Sequence, residues 1–249
     1  MVDFIEYING FLTILFVVIS VAIGLIIIIK YRKKKERQFL YFGLFWAGMT
    51  TPWWPQIVIF VNFLITGTII EMTFWVIIGV AFLPFTVIVG MMAYLIVLPI
   101  EDNKKNIIRA ITYSPNILYE IFLLFAIFLG NIEIWIADHD PLGEEGAFVI
   151  DWSYFSIPYF ILSLVFFLIF GLWFSRLSMK SDNRDVKLKG KFLFIAFISF
   201  AVGTMIDFIV PNPFIYMIAR LILLFSSIEF YAGLLLPKWI ANLFQRGNH

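Results

Sequence analysis

The 249-residue chain contains no cysteine, so disulfides, thiolate catalysis, zinc–cysteine sites and iron–sulfur clusters are all excluded together. Histidine is almost as scarce, with only His139 and His249. Neither falls in an apolar stretch, so haem ligation, a zinc hydrolase centre and a Ser-His dyad have no residue to build on. No lysine lies between Pro213 and Pro237, which removes the attachment point for a retinal Schiff base in the last apolar stretch. A Gly-x-Gly-Asp pattern for intramembrane aspartyl proteolysis is missing too. The inventory points away from an enzyme and calls for no cofactor, metal or nucleic acid.

Charge is also sparse. Only 14% of residues are charged against 62% hydrophobic, with a mean hydropathy of +0.95. That balance is far too apolar for a water-soluble domain. Crossing a hydrocarbon core takes about 20 residues. Seven stretches of that length are expected as helices near 8–29, 39–65, 72–98, 115–136, 152–175, 192–210 and 213–236. The fold class is therefore all-α, a polytopic seven-transmembrane helix bundle, with residues 1–249 forming one domain. The first stretch lacks a cleavage-site pattern and runs into basic residues, so it is expected to be retained.

Basic residues set the orientation, because they collect on the cytoplasmic side. Residues 30–37 carry six, 101–110 carry three, 176–191 carry six, and Lys238 and Arg246 follow. In a seven-helix arrangement, those seventeen of the eighteen basic residues fall on one side. The expected N-terminus is outside and the C-terminus cytoplasmic, in the cell membrane. Lipids are the certain partners. The charged segment 176–191, expected to prolong helix five before a restart at Lys189-Gly190, is the natural surface for a cytoplasmic protein. A homo-oligomer or larger membrane complex is equally compatible.

Gln38 to Ile70 runs for 33 residues without a charge and holds Thr50-Thr51-Pro52-Trp53-Trp54-Pro55-Gln56 near its middle. Each proline lacks an N–H and clashes with the preceding turn, so the second helix should be broken there. Non-helical backbone at that depth must be buried in protein or line a cavity. The segment is either a ligand-binding wall, with Thr51, Trp53, Trp54 and Gln56 as its residues, or a kink packed on neighbouring helices.

Five ionisable residues sit inside the stretches: Glu120, Glu133, Asp207, Arg220 and Glu229. Each costs at least about 2.5–3.5 kcal/mol at a helix centre and so needs a partner. Arg220 and Glu229 are nine residues apart, on opposite faces of one helix at about 100° per residue. Helix depth groups Arg220 with Asp207 or Glu133 as an outer ion pair. It groups Glu120 and Glu229, with Ser226 and Ser227, as an inner polar site that could also hold a ligand.

Three further segments are informative. Asp138, Asp140 and Gly143 match places in a calcium-binding loop, but Leu142 and Val149 stand where oxygen ligands belong, so an acidic solvated loop is expected. Small residues Ser20 and Gly24 give the first helix a face for close packing. Trp239, Ile240, Leu243 and Phe244 form a stripe suited to a short helix in the membrane interface.

Arg37-Gln38-Phe39-Leu40 leading to Trp46, the run Trp75-Val-Ile-Ile-Gly-Val-Ala-Phe-Leu-Pro84, and Gly233-Leu-Leu-Leu-Pro237-Lys238 carry a family likeness. In their order the chain resembles the seven-helix sensor region of prokaryotic histidine kinases and of stand-alone archaeal membrane proteins. The resemblance implies a sensor or receptor-like module binding a small or lipid-like ligand. With no kinase domain before His249, its signal is expected to pass to a separate protein. Pro55-Gln56 is similar to the proline-glutamine motif of small seven-helix sugar transporters, which keeps a midplane transport site as an alternative, although helices 5–7 hold no second copy. A structural subunit of a membrane complex is the third reading.

Overall fold

The computed structural model describes residues 3–68, 78–138, 151–210 and 212–245. The calcium-like loop positions Asp140, Leu142, Gly143 and Val149, the start of the third stretch with Trp75, and His139 and His249 lie outside the described residues, as do the side chains of Glu133 and Asp138.

Among the described residues the regular structure is all helical apart from one two-residue antiparallel bridge. Helix α1 spans Phe4–Lys34, α2 Arg37–Gly48, a 3-10 turn Thr51–Trp53 and α3 Trp54–Thr66. Helix α4 covers Leu83–Val97 and α5 Asp102–Leu129, followed by the short α6 at Ile132–Trp135. Strands β1 (Ala137–Asp138) and β2 (Asp151–Trp152) pair antiparallel. Helices α7 (Ser156–Met179), α8 (Arg184–Ile209), α9 (Pro213–Leu235) and α10 (Lys238–Gln245) complete the fold.

The ends of these helices follow from their residues. The Asp3 N–H donates to Glu6 Oε2 at 2.7 Å at the start of α1, while Arg32, Lys33 and Lys34 complement its C-terminal dipole. Asn183 and Asn212 cap α8 and α9, each side chain accepting two backbone N–H groups. Gly67 and Gly130 end α3 and α5 in the left-handed conformation, at φ 69° and 68°.

Among the described residues six helices are long and apolar enough to cross a membrane, the one that contains α4 running over Ile78–Val97. The second expected stretch is not among them, because the proline-rich segment divides it into α2 and α3, of 12 and 13 residues. Two other expectations shift. Helix α5 begins at Asp102, so the expected loop 100–114 is mostly helix, and Pro115 lies inside it. The Asn116 amide there donates to the Thr112 carbonyl at 2.6 Å, one residue on from the Ile111 carbonyl that the proline leaves without its N–H donor. The expected restart at Lys189-Gly190 occurs instead at Arg184, where Asn183 supplies the cap. Gly190 is held against α7, where a Cβ would stand 2.6 Å from the Met179 nitrogen. The segment 176–191 is thus two helix ends joined by a tight turn.

Neighbouring helices run in alternating directions. Gly24 meets Gly43 and Gly10 meets Phe60 as α1 passes α2 and α3. Asn116 meets Tyr159 and Tyr119 meets Ser156 between α5 and α7. Gly203 meets Leu223 and Gly233 meets Leu193 between α8 and α9. Helix α9 then returns to α1 in parallel, with Asn9 Nδ2 donating to the Pro213 carbonyl at 2.7 Å and Ser20 Oγ 2.7 Å from Ser227 Oγ. The interior is aromatic: Phe16, Trp46, Phe197, Phe200 and Phe230 are at most 1% exposed. Outward faces are apolar as well, as at Leu25, Ile29, Phe125 and Phe128, and lipid is the solvent that suits them.

At the α1–α2 crossing backbone meets backbone. A Cβ on Gly24 would stand 2.7 Å from the Gly43 carbonyl oxygen, and one on Gly43 2.6 Å from that of Gly24. Backbone cannot yield as a side chain can, so Gly43→Leu must part the helices. The expected loss is about 1–3 kcal/mol, read as a lowered midpoint of thermal unfolding in mild detergent. An unchanged midpoint would show that the crossing is slack.

The tail helix α10 presents its stripe unevenly. Ile240 is 4% exposed against Ala232 and Leu236, and Phe244 meets Phe192 at 5.2 Å between rings. Trp239 and Leu243 face outward, as an interfacial helix requires.

Candidate functional site

Pro52 and Pro55 set the local geometry by interrupting the helical ladder between α2 and α3. Three polar groups reorganise around the gap. Thr50 Oγ1 donates to the Ala47 carbonyl at 2.7 Å, Trp54 Nε1 donates to Thr50 Oγ1 at 3.0 Å, and the Trp53 N–H donates to the Thr50 carbonyl at 3.0 Å. Trp54 and Thr50 therefore staple the turn itself. Thr51 Oγ1 is buried with no hydrogen-bond partner among the described residues.

The turn also points Trp53 and Gln56 across the bundle. Trp53 Nε1 donates to Asp207 Oδ2 on α8 at 2.8 Å, with the indole held edge-on by Phe16 and Phe200. Arg220 on α9 stands 3.0 Å from Asp207 Oδ1 through Nη2, and the same nitrogen donates to Gln56 Oε1 at 2.8 Å. Its guanidinium carbon lies 6.0 Å from the Trp53 ring centre, within cation–π range. The Arg220 and Asp207 side chains are 3% and 6% exposed.

The ligand wall and the ion pair, distinct in the sequence reading, thus form one cluster linking the helix break to α8 and α9. The Glu133 side chain lies outside the described residues. One feature of the cluster is chemically open. Arg220 has five N–H donors, and those on Nε and Nη1 meet no acceptor among the described residues. An unmet buried donor costs about 1–3 kcal/mol, more when charged. The site therefore favours an acceptor oxygen that the described residues do not supply.

The inner polar residues are not assembled in the same way. Glu120 on α5 lies beside the stacked Tyr119 and Tyr159 rings, whereas Glu229 on α9 lies near Ser199 of α8. Each keeps one buried oxygen without a hydrogen-bond partner among the described residues. Ser227 faces Ser20 on α1, and Ser226 Oγ donates to the Leu223 carbonyl. These residues occupy three different helix interfaces.

A polar seam between α5 and α7 went unread in the sequence. Tyr119 and Tyr159 stack at 3.8 Å, Tyr159 donates to Asn116 Oδ1 at 2.7 Å, and Tyr119 Oη lies 3.0 Å from Ser156 Oγ. The signal was the matched spacing of Asn116 with Tyr119 and of Ser156 with Tyr159, each three apart and so on one helix face.

Fold and site together define an all-helical, multi-pass membrane protein whose helices contact lipid. No protein-family model, curated protein or solved structure matches the chain.

Proposed function

We propose that the chain is a sensor or receptor-like module of the cell membrane that takes a small or lipid-like ligand at the broken second crossing. In this reading α2 and α3 together make one of seven crossings, with the N-terminus outside and the basic connections in the cytoplasm. The alternating directions of neighbouring helices and the one-sided basic residues support that arrangement. The observation that carries the reading is the buried Arg220 fork, whose Nε and Nη1 donors meet no acceptor among the described residues and whose other contacts lie on the break and on α8. A ligand bound there would compete for contacts joining three helices. Its effect would reach the cytoplasm through α8 and the turn before it.

The test is mass spectrometry of small molecules that co-purify in mild detergent, comparing the native chain with Arg220→Lys. Lysine keeps a cation for Asp207 and removes the planar fork. Loss of two charged hydrogen bonds predicts a ligand depleted by at least about tenfold in the variant. Only bulk lipid in both preparations would overturn the reading. A discontinuous helix also suits a transporter. Flux of the co-purifying molecule into liposomes holding the protein would replace the sensor reading by that one.

A further inference from the structure

Helix α5 buries a single stripe. Its buried residues, Thr112, Asn116, Tyr119, Leu123 and Ala126, recur at alternating spacings of four and three. They face neighbouring helices, as Asn116 and Tyr119 do at Tyr159 and Ser156 of α7. One residue further on, Tyr113, Ile117, Glu120, Leu124 and Ile127 repeat the same spacing about 100° around the helix. None of these is buried, and Ile117 and Leu124 are 51% and 47% exposed. A stripe that recurs every 3.5 residues or so is the one along which membrane helices pair at a shallow left-handed crossing. This one runs for about 21 Å at 1.5 Å per residue and is apolar apart from Tyr113 and Glu120.

Glu120 stands in this stripe without a partner. Helix α5 ends at Leu129. That puts Glu120 about 14 Å inside its outer end, near the middle of a hydrocarbon core about 30 Å thick. A carboxyl at such a depth has to be uncharged or paired with a cation. The apolar stretches hold one basic residue, Arg220, and Asp207 already stands 3.0 Å from it. The α5–α7 seam beside Glu120 offers no donor either. Tyr159 gives its hydroxyl hydrogen to Asn116. Ser156 gives its own to the Ile136 carbonyl at 2.8 Å, so the bond between Tyr119 and Ser156 uses the Tyr119 hydrogen. Glu120 Oε2 is left with no hydrogen-bond partner among the described residues, while the half-buried side chain stays open to a neighbour outside the chain.

We propose that two copies of the chain pair side by side through this stripe, about a two-fold axis along the membrane normal, with Glu120 hydrogen-bonded to Glu120 of the partner subunit. All copies insert in the same orientation, so such an axis brings like residues together at one depth. An uncharged carboxyl both donates and accepts, and two that meet satisfy each other. A foreign helix would have to carry a matching group at the same depth, whereas a second copy supplies it by symmetry. Ile117 and Leu124, one turn to either side of Glu120, pack on their own equivalents. The pairing stands apart from the ligand reading, because Arg220 takes no part in it.

The experiment uses the full chain in liposomes, where the lack of native cysteine lets one introduced thiol report on its own position. Under copper–phenanthroline oxidation, Ile117→Cys and Leu124→Cys are expected to form disulfide-linked dimers at least about fivefold faster than Leu118→Cys and Phe125→Cys. The latter two positions are at least as exposed but lie about 100° away around the helix. Strength is read as energy transfer between copies labelled at Lys104→Cys while the protein is diluted with lipid. Glu120→Leu should weaken association about five- to thirtyfold, the range for one hydrogen bond between membrane helices. Glu120→Gln, whose amide also donates and accepts, should stay within about threefold of the native chain. The cysteine pattern and the Gln variant decide the matter even where Glu120→Leu fails to fold. Equal crosslinking at all four positions, energy transfer no greater than random mixing gives, or Glu120→Leu pairing as tightly as the native chain would each overturn the interface.

Discussion

Arg220→Leu is expected to destabilise the bundle by about 3–5 kcal/mol, the usual cost of removing one partner from a buried ion pair. The reason lies in what remains. Among the described residues Asp207, 6% exposed, keeps the Trp53 indole N–H, and Gln56 loses the donor that ties the helix break to α9. The pair itself is a poor stabiliser, because desolvating two charges offsets most of their attraction. Arg220→Met combined with Asp207→Leu should therefore recover most of the loss. Thermal unfolding in mild detergent across the two single variants and the double variant gives the coupling between them. A single-variant loss below about 1 kcal/mol would place the guanidinium in water, and the site would then be a hydrated cavity. Gln56→Leu adds a second cycle, in which a hydrogen bond to a charged group is worth about 1.5–3 kcal/mol.

How much of this was legible in the sequence depends on the range over which each signal acts. Hydropathy is a local sum, and it marked the apolar stretches that the six long helices occupy. Pro52 and Pro55 act on their own turn, so the break could be read directly. Whether α2 and α3 count as one crossing could not, since each is too short alone at 12 and 13 residues. Helix depth grouped Arg220 with Asp207 because rise per residue is fixed, and the two side chains lie 3.0 Å apart. The same depth argument grouped Glu120 with Glu229, which stand at different interfaces. Depth fixes one coordinate of a residue and leaves its azimuth around the bundle open, and azimuth depends on which helices are neighbours. The links from Trp53 to Asp207 and from Gln56 to Arg220 join residues more than 150 positions apart, a separation at which one sequence carries no pairing signal.

Trp46→Ala is expected to cost about 3 kcal/mol, the low end for deleting a buried aromatic side chain. Trp46 is 0% exposed, stacks on Phe230 at 3.8 Å and 10°, and meets Phe200 at 5.6 Å, so it joins α2 to both α8 and α9. The low end applies because lipid is as apolar as the protein interior. Helix association in a bilayer gains little from removing apolar surface from water, and the loss is one of packing contacts. The void also stays empty, since the site lies behind Phe197, Phe200 and Phe230, each at most 1% exposed. Trp46→Phe should cost far less. It keeps a ring for Phe230 and removes an indole N–H that has no acceptor among the described residues, so relief of an unmet donor offsets the lost volume. Thermal midpoints of both variants in one detergent test this directly. If Trp46→Phe is as damaging as Trp46→Ala, the indole N–H has an acceptor in the membrane, and Trp46 then belongs to the polar site that begins at Thr50.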